Sequence, residues 1–326
     1  MNKLTPNDFA SNLPVKWCPG CGDFAILTSV KKAMAEIGLP HEKYVVVSGI
    51  GCSSRFPYYV NTYGYHTIHG RAIPIATGVK LSNPDLMVFV VTGDGDAMSI
   101  GGNHLMHGIR RNIGLKVLMF NNRIYALTKG QASPTTQKGS KTKTTPAGNN
   151  DYSFNPIALA VSLGSPFVAR SMDSDLNSTS SIIVEASKNE GFAFVEIIQK
   201  CVVFTDKEFD IFKNPETKDE VSLKIENGKP MIFGKNKNKA VVIEKSGPKI
   251  VEFDPTNPPS NLTVYDSSDI NMARIVSSLT PPDFPLPFGI FLKVEKKSYE
   301  NMYYEEANKD IDGIDVLLGE NSYEIN

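Results

Sequence analysis

The sequence is short of several features that would point to a particular class of function. Its 34 Lys and Arg nearly balance 35 Asp and Glu, for a formal net charge of −1. Nothing in that balance argues for nucleic acid or a membrane surface as partner. No apolar run reaches the ~18–20 residues of a transmembrane helix. Met1–Val15 is polar and lacks the apolar centre of a signal peptide. There is no internal repeat. These absences lead to the expectation of a soluble, cytoplasmic protein. Cysteine is scarce: Cys18, Cys21, Cys52 and Cys201 are the whole set. In a reducing compartment so small a set means metal or redox chemistry more often than disulfides. Apolar residues make up 41% of the 326 residues, enough for a real core in one large domain or two modest ones.

Helix and strand patterns alternate through the first two thirds. Ile26, Leu27, Val30, Met34 and Ile37 recur at helical spacing, with Gly22 or Asp23 as cap and Gly38 as stop. Tyr44–Ser48, Leu86–Thr92, Leu115–Phe120, Phe167–Ala169 and Phe192–Ile198 are apolar runs that read as buried strands. Gly70–Leu81, Ile100–Arg111, the Asn155-capped run from Pro156 to Leu163, and Leu176–Lys188 read as helices. The expected fold is α/β, a doubly wound, mostly parallel sheet covered on both faces. Arg123–Asp151 is a long polar loop, which in a compact domain is usually a lid or binding loop. Beyond about Val202, charged runs alternate with short strand-like pieces, Ala240–Ile243 and Lys249–Phe253. Pro281, Pro282, Pro285 and Pro287 mark an irregular stretch. The expected division is 1–204 as the ligand-binding domain and 205–326 as an irregular C-terminal extension that packs on the core or a partner.

The chemistry gathers just past strand ends, where open α/β sheets place their ligands. Gly93-Asp94-Gly95-Asp96 follows one strand and Asn121-Asn122 the next. Asp94 and the Asn122 side chain are hard oxygen donors of the kind Mg²⁺ prefers beside phosphate. The glycines allow close approach of the backbone. Two ordinary turns at strand ends would look the same. Cys52 and Cys201 also follow strands, while Cys18 and Cys21 form a C-x₂-C pair in a Pro/Gly-rich loop. Four cysteines from three loops suit either a [4Fe–4S] cluster or a Cys₄ zinc site. A zinc ribbon would need a second C-x₂-C, which is absent. His66 and His69 flank a short loop; His69, directly before Gly70, can reach a phosphate. His104 and His107 read as packing residues. Arg55 can meet a carboxylate with its planar fork. Lys129 lies nearer to Asn122 than Lys138, Lys141 or Lys143 and is the better candidate for an anionic substrate.

Trp17-Cys18-Pro19-Gly20-Cys21-Gly22, Gly49-Ile50-Gly51-Cys52-Ser53, His66-Thr67-Ile68-His69-Gly70-Arg71-Ala72, Gly93-Asp94-Gly95-Asp96 and Leu127-Thr128-Lys129-Gly130-Gln131-Ala132-Ser133-Pro134-Thr135 stand in this order. As a set they closely resemble the β subunit of 2-oxoacid:ferredoxin oxidoreductases, especially the 2-oxoglutarate branch, over about Lys16–Val203. The resemblance implies a thiamine diphosphate (TPP)-binding fold of the pyrophosphate type and a [4Fe–4S] cluster on Cys18, Cys21, Cys52 and Cys201. It implies Mg²⁺ on Asp94, Asn122 and the backbone oxygen of Ile124. It places TPP against Ile50, Gly51, Cys52, Ser53, His69, Gly95, Asp96, Ala126 and Leu127, and gives Arg55 and Lys129 to the substrate. Arg55 stands where some relatives carry Lys, which bears on substrate preference. The implied activity is coenzyme A-dependent oxidative decarboxylation of 2-oxoglutarate, or the reverse carboxylation of succinyl-CoA, with electrons passed through the cluster to ferredoxin. The implied partner is an α subunit carrying the pyrimidine-side domain, in an α₂β₂ heterotetramer. Alternatives are a broad-specificity or pyruvate enzyme, or a redox-free TPP decarboxylase with a structural Cys₄ zinc site.

Overall fold

A computed structural model describes residues 4–307. The outer ends of the two expected segments, 1–3 and 308–326, lie outside the described residues. Helix α1 (Asp23–Ile37) precedes β1 (Tyr44–Ser48) and β2 (Tyr63–His66). Then come α2 (Ala72–Ser82), β3 (Met87–Gly93), the short α3 (Asp94–Met98), α4 (Gly102–Arg111) and β4 (Leu115–Asn121). The polar loop holds only a two-stranded hairpin, β5 (Ile124–Tyr125) and β6 (Gln131–Ala132). Next are α5 (Pro156–Ser162), β7 (Phe167–Met172), α6 (Leu176–Lys188) and β8 (Ala193–Ile198). The remainder supplies α7 (Lys218–Val221), β9 (Ser222–Ile225), β10 (Ile232–Phe233), β11 (Lys239–Glu244), β12 (Gly247–Glu252), α8 (Ile270–Ser277), β13 (Leu286–Lys293) and α9 (Tyr299–Ala307).

Eight strands form one sheet in the order β2-β1-β3-β4-β8-β7-β13-β9. Every pairing is parallel except β13 with β7. Strand residues alternate between two cores, as the two-residue period requires. Val45, Val47, Val88, Val90, Val117 and Met119 face one core with α2, α4, α5 and α8. Val46, Phe89, Val91, Leu118, Phe120 and Val195 face the other, with α1 and α6. Both faces are covered, so the strands read as continuous apolar runs. Asn155 caps α5 by accepting from the Ala158 N–H at 3.1 Å, and Gly38 ends α1 in the left-handed region at φ 76°. No helix among the described residues is long and apolar enough to cross a membrane.

The C-terminal third corrects one expectation. The proline-marked stretch is not irregular throughout, because Leu286–Lys293 forms an eight-residue strand within the main sheet. Pro287 sits at the strand's second position, where its missing N–H costs little, and its carbonyl accepts from Arg170 Nη1 at 3.2 Å. Gly289, at φ 128°, lies where a Cβ would stand 2.4 Å from the Ile225 carbonyl oxygen. Gly289→Ala should therefore lower stability by about 2 kcal/mol or more, through backbone strain and overpacking against β9. Denaturant unfolding reads this directly; an unchanged midpoint would show that β9 yields freely.

Candidate active site

The site lies at the carboxyl edge of the sheet, where β1 and β3 part. The order β2-β1-β3-β4 reverses direction there, so the loops after β1 and β3 leave a crevice. A cavity of about 280 Å³ occupies it. The loop after β1 contributes Ile50, Gly51, Cys52 and Ser53, β3 and α3 contribute Gly93–Asp96, and β4 leads to Asn122. His69, Ile124, Ala126 and Leu127 complete the wall among the residues singled out from sequence. Arg55 and Lys129 do not line it. Arg55 is half-buried and donates from Nε to Tyr59 Oη at 2.9 Å, while Lys129 is exposed, at φ 83°. His66 is held by Ser48 Oγ and the Ser54 carbonyl, each at 3.0 Å from Nδ1. His107 is exposed rather than packed, with Arg110 Nε 3.3 Å from its Nδ1.

Asp94 opens α3 and is buried. Burial pushes its carboxyl up, partly countered by the Ser133 and Thr135 hydroxyls. Both hydroxyls donate to Oδ2, at 2.6 and 2.5 Å. The polar loop thus folds back onto the carboxylate, which has no basic side chain among its hydrogen-bond partners. A buried anion matched only by neutral donors and beside two backbone-rich turns suits a divalent cation. Asn122 Oδ1 accepts from the Ile124 N–H at 3.1 Å, which ties the side chain to the backbone segment carrying the Ile124 oxygen. Asp96 is differently employed. Its Oδ1 accepts from the Gly70 N–H at 2.8 Å and its Oδ2 from Thr92 Oγ1 at 2.9 Å. A Cβ on Gly49 would come 1.9 Å from that Oδ2, so only glycine lets the β1 loop close here.

Sequence reasoning assigned no role to several contributors. Tyr125 lines the cavity and donates to the Gly95 carbonyl at 3.2 Å. Beneath the site, Arg170 Nε donates to Glu196 Oε2 at 2.7 Å, and Asn121 Nδ2 to Glu196 Oε1 at 2.6 Å. Thr135 Oγ1 also lies 3.0 Å from Asn121 Oδ1, which places this buried network beside Asp94. A polar Glu196 within the apolar β8 run was the available signal.

The cysteines sit beside this cavity. Cys52 is half-buried, and burial, then Asp23, Cys201 and Cys18, push its thiol up to about 12. Burial, then Asp23, raises Cys21 as well, with Cys52 and Cys201 adding to the effect. Each thiol therefore lies within electrostatic reach of others from separate loops. Trp17 Nε1 donates to the Cys52 carbonyl at 2.7 Å, pinning the two loops together. Asp23 is fully buried with neither oxygen hydrogen-bonded, and burial pushes it up to about 7. Such a set can hold thiolates only if a cationic group neutralises them. Among the described residues, no three His, Cys, Asp or Glu side chains converge to hold a single metal ion.

A doubly wound sheet with a crevice at its switch point is a ligand-binding α/β architecture. Residues 49–197 match the family described as thiamine pyrophosphate enzyme, C-terminal TPP binding domain. The chain is 52% identical over 240 residues to the 2-oxoglutarate oxidoreductase subunit KorB of Mycobacterium tuberculosis, covering 74% of this chain and 64% of that protein. It is 42% identical over 203 residues to the 2-oxoglutarate synthase subunit KorB of Methanocaldococcus jannaschii, covering 62% of this chain and 75% of that protein. A solved structure of 2-oxoglutarate:ferredoxin oxidoreductase from Magnetococcus marinus, with 2-oxoglutarate, coenzyme A and succinyl-CoA bound, has a similar chain. The likeness has a TM-score of 0.78 at 32% identity, over 95% of this chain and 91% of that one. This chain belongs to the KorB family, the β subunits of 2-oxoacid:ferredoxin oxidoreductases. The chain spans less than two thirds of the length of the tuberculosis relative.

Proposed function

We propose that the chain is the TPP- and iron–sulfur-binding subunit of a cytoplasmic 2-oxoglutarate:ferredoxin oxidoreductase. The reaction is coenzyme A-dependent decarboxylation of 2-oxoglutarate, or its reverse from succinyl-CoA, with ferredoxin as electron partner. One observation carries this reading: Cys52 lines the cavity and also belongs to the cysteine set, so one loop serves both cofactors. The names of the relatives support the choice of 2-oxoacid.

When bound, TPP supplies the carbanion chemistry of decarboxylation. The chain's own residues hold and surround it. Asp94, Asn122 and the Ile124 carbonyl would provide hard oxygens for Mg²⁺, which in turn would hold the diphosphate. Ile50, Gly51, Cys52 and Ser53 form one wall, and Gly95, Asp96, His69, Ala126 and Leu127 close around the cofactor. Arg55 and Lys129, outside the wall, are left for the carboxylates of the incoming substrate. Cys18, Cys21, Cys52 and Cys201 hold the [4Fe–4S] cluster. The segment 1–204 carries both cofactor sites, and the segment after it contributes two strands, β9 and β13, to the sheet.

No glutamate lines the cavity among the described residues, and Asp94 and Asp96 are committed as described. On this reading the carboxylate that activates the pyrimidine ring comes from an α subunit, in an α₂β₂ assembly. With that subunit, anaerobic ferredoxin reduction should show the highest kcat/KM for 2-oxoglutarate among 2-oxoglutarate, pyruvate and 2-oxobutyrate. The lone chain should show none. Substantial activity of the lone chain would refute the shared site, and a preference for pyruvate would refute the substrate assignment.

A further inference from the structure

Gln199 follows β8 directly and precedes Cys201 by two residues. It is buried, and its backbone N–H donates to the Asn121 carbonyl at 2.9 Å, which fixes it to the end of β4. Its side-chain Nε2 lies 3.2 Å from Cys21 Sγ and 2.6 Å from the Lys200 carbonyl oxygen. The same Lys200 carbonyl accepts from the Gly22 N–H at 3.1 Å, so the C-x₂-C loop is docked against this amide. The orientation of the amide follows from its surroundings. Turned over, its oxygen would face a carbonyl oxygen and a sulfur, both acceptors. In the observed orientation both N–H groups are used and Oε1 is buried without a partner. A buried amide with its oxygen unsatisfied is retained at some cost to stability.

We propose that Gln199 is a positioning residue that raises the reduction potential of the [4Fe–4S] cluster by donating an N–H to the Cys21 sulfur. The proposal rests on the cluster assignment above. Reduction adds one electron to the cluster, and part of the added negative charge falls on its thiolate sulfurs. A fixed N–H dipole aimed at one sulfur stabilises the reduced form more than the oxidised form, and burial strengthens the effect. No bond breaks, and the amide proton stays on nitrogen. Gln199 therefore sets how readily the cluster takes an electron and how readily ferredoxin can draw it away.

The test uses the anaerobically purified complex with its α subunit and the variants Gln199→Leu and Gln199→Glu, the second nearly isosteric. Iron and acid-labile sulfide are measured beside an EPR-monitored redox titration. Both variants should keep iron and sulfide at the parent level and titrate at lower potential. At the parent's midpoint, the reduced-to-oxidised ratio should fall about tenfold, which is about 59 mV for a one-electron couple. Full iron and sulfide with an unchanged midpoint in both variants overturns the proposal and leaves the cluster standing. Loss of the cluster from both variants overturns it in favour of a purely structural role. A parent complex without iron and sulfide overturns the cluster assignment itself, and the proposal with it.

Discussion

Asp94→Ala is expected to abolish retention of TPP and to lower 2-oxoacid-dependent ferredoxin reduction at least ~100-fold. That exceeds the usual 10–100-fold loss when a residue that merely orients a metal ligand is removed. The carboxylate is buried, lines the crevice, and has the neutral Ser133 and Thr135 hydroxyls on one oxygen. Removing it deletes a hard anionic donor for Mg²⁺, and with it much of the hold on the diphosphate. The fold should tolerate the change, because burying this carboxyl already opposes its ionisation. Asp94 also anchors the loop through Ser133 and Thr135, so Asp94→Asn separates the two roles. Asn can still accept both hydroxyl hydrogen bonds but carries no charge. TPP content and turnover should fall in Asp94→Asn nearly as far as in Asp94→Ala, with little change in the unfolding midpoint. An Asn variant that keeps TPP and full turnover would make Asp94 a loop anchor only.

Cys52→Ser is the second large effect. Iron and acid-labile sulfide should drop well below the parent level, and ferredoxin reduction should fall at least ~100-fold, because a serine oxygen is a poor replacement for a soft thiolate. The substitution is nearly isosteric, and the Trp17 bond is to the backbone carbonyl of residue 52, so the loop should hold its shape. TPP content should therefore stay close to that of the parent. That split, cofactor retained and electron transfer lost, distinguishes a cluster ligand from a residue that merely shapes the cavity. Full iron and sulfide with unimpaired ferredoxin reduction would remove Cys52 from the ligand set. Zinc without sulfide in the parent would instead favour the redox-free TPP enzyme.

Much of the fold was legible because local signals and packing agree. The apolar spacing from Ile26 to Ile37 with Gly38 behind it, and the run Tyr44–Ser48, coincide with α1 and β1. Strand β2 left no such signal. All four of its residues, Tyr63–His66, are exposed, and it is a strand only because β1 offers a parallel edge. Strand β13 was hidden for the opposite reason, since prolines around Leu286 speak against a strand that tertiary pairing nonetheless forms. In the site, residues directly behind strands were legible, because an open parallel sheet collects them at one edge. Ser133 and Thr135, quoted only as part of a motif, and Tyr125 meet the α3 turn because the long loop folds back, which no spacing encodes. Gln199 and Asp23 were invisible as functional groups for a related reason. Their meaning lies in which thiol or void they face.

The antiparallel pairing of β13 with β7 has a consequence for synthesis on the ribosome. Arg170 pairs with Gly289, so one side of β7 waits until more than a hundred further residues have been made. At roughly 5–20 residues per second, the nascent sheet presents a bare strand edge for on the order of ten seconds. Strand β7 is apolar and long enough to invite pairing with a wrong chain. Arg170 stands in the middle of it, and its guanidinium finds its last acceptor, the Pro287 carbonyl, only when β13 arrives. Once β13 is in place, the guanidinium, paired with Glu196 on the other side, is enclosed within the sheet.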